Sequence, residues 1–286
     1  MKFWLPMMDE PTDQFCDIAK MAERYGFEGI CLADHVAVPV GFESVHPSGE
    51  NPFTDTYLFP DPFSMIVAMS MVTSRLRFMS YVYVLPLRDP FTVAKQVGTT
   101  AILSNYRVVF GVGVGWLVEE FGVLGQDPKS RGRRTDEMLE VIRDFWDDGY
   151  AEHHGEFFDV PRSGMFPVPE QAIPVWVGGK SPAALRRAVS CDGWLGMNYG
   201  LDEVYRLLDE LAAMRQEMGD RREDFETLVI PNAAPSLDLY RDLQARGVTA
   251  TLGAAWRPGD REFRSLDAKQ AALESFAEHF VVPLAD

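Results

Sequence analysis

Basic residues are outnumbered in this sequence: 27 Lys and Arg stand against 43 Asp and Glu, a formal net charge of −16. That balance argues against nucleic acid as a partner, because phosphate binding needs grouped Lys and Arg. It argues equally against an anionic membrane surface. Cysteine is scarce too. Cys16, Cys31 and Cys191 are too widely spaced for a disulfide framework or a zinc site, and the apolar contexts of Cys31 and Cys191 suit a core. No His/Asp/Glu cluster has metal-ligand spacing, so no metal is expected. A G-x-S-x-G elbow or comparable Ser or Cys nucleophile is also missing. No basic-then-apolar leader precedes Lys2, and no apolar run approaches membrane length, so the expectation is a cytoplasmic protein.

What is present is the composition of a soluble globular chain, 47% hydrophobic and 24% charged over 286 residues. The most informative stretch is Arg107 to Arg134, RVVFGVGVGWLVEEFGVLGQDPKSRGRR. It opens with Val108-Val109-Phe110, an apolar run suited to a strand buried on both faces. Gly111, Gly113 and Gly115 follow at every second position and so strip one face of side chains. A bare backbone at a strand end lets a flat or anionic group come close; a tight bend where a strand leaves a barrel is the plainer alternative. A dinucleotide fingerprint fits poorly. It should follow the first strand and run straight into a helix, whereas here the spacing is G-x-G-x-G-W and a polar, turn-rich segment comes next.

Around this stretch, strand-like and helix-like segments alternate. Phe3-Trp4-Leu5 is a short run ended by Pro6, and Phe15, Ile18, Ala19 and Ala22 recur at helical spacing before Gly26. Gly29 to Ala33 reads as the second strand and delivers Asp34 and His35. Val36 to Pro60 is too long for a plain connection. Its prolines (Pro39, Pro47, Pro52, Pro60) and aromatics (Phe42, Phe53, Tyr57, Phe59) suggest a lid packed over a pocket. Later segments repeat the alternation: a strand over Leu76–Leu85, the glycine strand, a helix over Thr135–Trp146, a small hairpin over Tyr150–Val160, and strands at Val175, Trp194, Leu228 and Ala250. About eight β/α pairs without a dividing linker give a (β/α)₈ TIM barrel, one domain over 1–286; a doubly wound sheet in two halves is the runner-up.

In such a barrel chemistry belongs at the C-terminal ends of the strands. His35 there can transfer a proton near neutral pH, while its neighbour Asp34 should face the other way and fix the strand or a helix. His46 in the loop is a secondary candidate, and His153-His154 on the hairpin read as solvated. Gly178-Gly179-Lys180-Ser181 precedes a helix whose Ser181-Pro182 is an N-cap and first-turn proline; exposed N–H groups there suit a phosphate.

The combination of GICLADH, YVYVLPLRDPFTVAKQ, RVVFGVGVGW with the following EEF and RGRRTDEMLEVIRDFW, and PVWVGGKSPAALRRAV resembles the bacterial luciferase-like monooxygenase superfamily. Within it the likeness is greatest to the deazaflavin F420-dependent oxidoreductase branch, and it covers nearly the whole chain. The resemblance implies a barrel that binds F420, or alternatively FMN, at its mouth, usually as a homodimer. It implies that His35 is a proton-transfer group and that a non-proline cis peptide at Tyr81-Val82 backs the cofactor ring. Gly113, Val114, Gly115 and Trp116, with Gly178, Gly179, Lys180 and Ser181, match the positions that receive ring, ribityl chain and phosphate. Two departures stand against a sugar-phosphate substrate: Pro39 and Trp116 occupy places where dehydrogenases of that kind carry a Trp and a catalytic Glu. Glu120 reads as a solvated or Arg-paired carboxylate.

The function these features imply is hydride transfer between a deazaflavin and a small organic substrate. One alternative is an FMN-dependent monooxygenase supplied with reduced flavin by a separate reductase. Another is a non-catalytic flavin-binding homologue.

Overall fold

The computed structural model describes every residue except Glu50, Pro52, Arg221 and Asp286; Pro52, counted above among the loop prolines, lies outside the described residues. The first half of the chain forms β1 (Lys2–Met7), α1 (Phe15–Arg24), β2 (Gly29–Leu32), α2 (Pro62–Ser70), β3 (Arg77–Ser80), β4 (Tyr83–Val84), α3 (Pro90–Leu103), β5 (Val108–Gly113), α4 (Val118–Val123) and α5 (Arg131–Asp147). The hairpin β6 (Tyr150–His154) and β7 (Asp159–Gly164) comes next. Then follow β8 (Val175–Gly178), α6 (Pro182–Val189), β9 (Gly193–Tyr199), α7 (Leu201–Glu217), β10 (Glu226–Pro231), α8 (Leu237–Ala245), β11 (Ala250–Leu252) and α9 (Leu266–Phe276).

Parallel pairing runs β1-β2-β3-β5-β8-β9-β10-β11 and returns to β1, which closes a (β/α)₈ barrel; the β6–β7 hairpin stands outside it. Strand alternation sorts the side chains as a barrel requires. Each of the eight strands contributes a buried inward residue: Trp4, Cys31, Met79, Val109, Trp176, Leu195, Leu228 and Ala250 pack as an interior cluster. Their sequence neighbours, such as Phe3, Ile30, Phe78, Val108 and Val175, face out against the helices.

Helix starts follow from simple chemistry. Asp61, Asp89 and Ser181 each precede a proline and each accept a backbone N–H two residues beyond it, so α2, α3 and α6 begin where a cap and a first-turn proline coincide. Pro6 does not end β1, contrary to the reading above. It pairs in register with Cys31 on one side, while pairing with β11 stops at Trp4, so its missing N–H breaks no ladder.

Two further differences bear on the site. The third strand is split: β3 stops at Ser80, β4 resumes at Tyr83, and the Tyr81–Val82 peptide between them is cis. The turn-rich segment after the glycines contains α4, a short helix that carries Glu119 and Glu120.

Candidate active site at the barrel mouth

The split strand explains the glycines of β5. Gly111 and Gly113 share the inward face with Val109, and protein fills the space they leave. A Cβ on Gly111 would overlap the carbonyl oxygen of Ser80, and one on Gly113 would overlap the Val82 side chain. Ser80 also donates its hydroxyl to the Gly111 carbonyl at 2.9 Å. Gly115 has φ +81°, and a Cβ there would lie 2.6 Å from Val84 Cγ1. The bare face therefore admits the neighbouring 80–84 segment; a ligand could approach only on the far side of it. Val82 reaches across to Gly178 as well, where a Cβ would sit 3.0 Å from its Cγ1. Tyr81, Val82, Gly113 and Gly178 thus form one wall, and the Tyr81 hydroxyl is tied to the Gly196 carbonyl of β9. Val114 and Trp116 continue from this wall half-buried.

At the end of β2 the adjacent Asp34 and His35 diverge as expected. Asp34, 4% exposed, turns back to a two-point ion pair with Arg88 (2.6 and 2.8 Å) and accepts the Val84 N–H at 2.9 Å, so it anchors β4. His35 turns to the mouth. Its Nδ1 lies 2.7 Å from Oε2 of Glu120, whose side chain is 1% exposed. Glu120 Oε1 accepts the Val36 and Ala37 N–H groups at 2.5 and 3.1 Å. Glu120 is therefore neither solvated nor Arg-paired, which corrects the earlier reading. With Nδ1–H donated to Glu120, a neutral His35 presents the Nε2 lone pair as the nitrogen able to exchange a proton.

The long loop covers this pair. Its ring centroids approach His35 at 4.7 Å (Phe53) and 5.0 Å (Phe59), and Trp116 lies 5.9 Å from the imidazole. Phe42 and His46 pack on Trp116 at 6.0 and 5.1 Å. Burial pushes the His46 pKa down to about 4, helped by repulsion from His35, so His46 is neutral at pH 7. Three carboxylates tether the loop. Glu120 holds its root. Glu119 accepts the Glu43 and Ser44 N–H groups and the Ser44 hydroxyl, and that hydroxyl is the chief reason its pKa falls to about 2. Asp9 accepts the Leu58 N–H at the far end.

Three further tryptophans are committed elsewhere: Trp4 and Trp176 lie in the barrel interior, and Trp256 donates to the buried Glu10, which also pairs with Lys269. The β8–α6 turn is built as its sequence suggests: Gly179 has φ +120° and Ser181 caps Ala184 N–H. Its two polar side chains are already engaged, Ser181 by that cap and Lys180 by Glu203 at 2.9 Å and the Tyr199 ring. Gly179 gives its N–H to the Leu195 carbonyl at 3.4 Å, so the backbone N–H groups at Lys180 and Ser181 are what the turn would offer an anion. His153 is not solvated: it is half-buried 3.2 Å from Glu137, while His154 is exposed. Among the described residues there is no cluster of His, Cys, Asp or Glu able to hold a metal, and no helix long and apolar enough to cross a membrane.

Comparison with known proteins agrees with this architecture. The family model for luciferase-like monooxygenases matches residues 5–238. An uncharacterized protein of Mycobacterium tuberculosis is 36% identical over 272 residues, covering 93% of this chain and 94% of its own. An F420-dependent glucose-6-phosphate dehydrogenase of Microbacterium testaceum is 25% identical over 222 residues, 76% of this chain and 62% of that one. Among solved structures, the monooxygenase RslO1 of Streptomyces bottropensis superposes over the whole of both chains with a TM-score of 0.76 at 18% identity.

Proposed function

This chain belongs to the luciferase-like monooxygenase family, and from that premise we propose that it is an F420-dependent oxidoreductase acting on a small organic substrate. The observation that carries the reading is the His35–Glu120 pair at the mouth, roofed by aromatic rings. Interconverting an alcohol and a carbonyl moves one hydride at carbon and one proton at oxygen. F420, when bound, supplies the carbon that gives or takes the hydride. His35 Nε2 gives or takes the proton, and Glu120 fixes its ring and tautomer. The lid excludes water, which strengthens the polar contacts inside.

The residues at the mouth fit such a cofactor. Tyr81 and Val82, backed against Gly113 and Gly178, would support its ring, with Val114, Gly115 and Trp116 beside it. The turn Gly178, Gly179, Lys180 and Ser181 would hold its phosphate through backbone N–H groups. A homodimer is part of this proposal. If the cofactor is FMN instead, a flavin reductase becomes the required partner.

The test is His35→Ala. General acid–base catalysis contributes typically about 10²–10⁴-fold, so turnover should fall by at least about a hundredfold. Affinity for F420, measured by fluorescence, should stay within about threefold. Unchanged turnover would remove His35 from the chemistry.

A further inference from the structure

Phe53 occupies a singular place in the roof. Its ring touches His35 (4.7 Å), Trp116 (5.7 Å) and three other rings of the loop: Phe59 (4.9 Å), Phe42 (5.9 Å) and Tyr57 (5.9 Å). It is 9% exposed. His35 and Trp116 stand at strand ends, on the rigid body of the barrel; Phe53 is brought by the loop and rests on the imidazole that must meet a substrate. On the side that Phe53 covers, a substrate reaches His35 only by displacing that ring.

We propose that Phe53 is a plug filling the substrate subsite above His35, and that the substrate displacing it is a neutral, apolar ring compound with one polar atom for His35. This rests on the reading of His35 as the proton-transfer group. The walls left when Phe53 swings out are the faces and edges of Phe42, Tyr57, Phe59, Trp116 and His35, which favour a ring in offset or edge-on contact. Charge selects in the same direction. An anion would meet the carboxylates of Glu119 and Glu120 nearby, and His46 on Trp116 is held neutral by burial and offers no compensating charge. The carboxylates of Glu119 and Glu120 are each held in place by three hydrogen bonds, so neither is free to turn into the subsite and pair with a cation.

Calorimetric titration of the full-length protein with acetophenone, benzoate and benzyltrimethylammonium, with and without F420, tests this. Acetophenone should bind the wild type at least about tenfold more tightly than either ion. Phe53→Ala should bind acetophenone at least about tenfold more tightly than the wild type, with Phe53→Leu between them and near-ultraviolet circular dichroism preserved in both. Equal or tighter binding of either ion overturns the substrate class. Unchanged or weaker acetophenone binding in both variants makes Phe53 a wall and not a plug, and binding of no probe to any variant overturns the subsite. The titrations without F420 stand whether or not F420 is the cofactor, so failure of that assignment is seen separately.

Discussion

At Glu120 three donors converge on one buried side chain: the His35 ring and the Val36 and Ala37 N–H groups. A carboxylate in that position orients the imidazole and anchors the root of the lid at once. Glu120→Gln keeps the volume but replaces one acceptor oxygen with a donor, so either the ring or the two backbone groups lose a partner; a buried donor left unpaired costs about 1–3 kcal/mol. Turnover should fall roughly ten- to a hundredfold with an altered pH profile, while F420 affinity is kept; a rate and profile like the wild type's would show that Glu120 does not act through His35. The position of His35 at the mouth was legible in the sequence, because the C-terminal ends of barrel strands converge there. Glu120 was not. Its role depends on a contact between residues 85 apart, and two adjacent glutamates give no hint that one is buried.

The helices and strands follow the sequence closely where periodicity is long, as in α5, and less well where elements are short. With six residues, α4 spans less than two turns, too few for an apolar stripe to show. That helix is what aims Glu119 and Glu120 at the lid. The glycines of β5 were read as room for a ligand; the 80–84 segment fills that room, because the split of β3 from β4 brings Val82 inward. The lid's aromatic packing was foreseeable from its composition, its hydrogen bonds were not. His46 makes the lid sensitive to pH. Its folded pKa, about 4, lies below the ordinary value near 6.5, so the unfolded or opened lid binds the proton more readily. The stabilisation is full above about 6.5 and is lost as pH falls toward 4. Glu119, with its pKa near 2, stays charged through that window. Proteolysis within the lid should accelerate between pH 6.5 and 4 in the wild type and change much less in His46→Gln; identical profiles would exclude His46 as the cause.

For the whole molecule, the closed barrel places the ends of eight strands around one mouth, and a continuous interior cluster from Trp4 to Ala250 holds that mouth rigid below a loop tethered at Glu120, Glu119 and Asp9. A stiff floor bearing His35 and an aromatic roof would suit the proposed reaction, in which a large flat cofactor does the redox step and the protein excludes water. This level was the most legible in the sequence, since alternation and strand-end glycines and prolines follow directly from barrel geometry. The choice between deazaflavin and flavin is the central claim, and titration of the purified protein with oxidised F420 and, separately, FMN, followed by fluorescence, tests it most directly. Micromolar or tighter binding of F420 with weak binding of FMN is the result predicted. Tight FMN binding with weak F420 binding would contradict it and turn the search to oxygen consumption and a reductase partner.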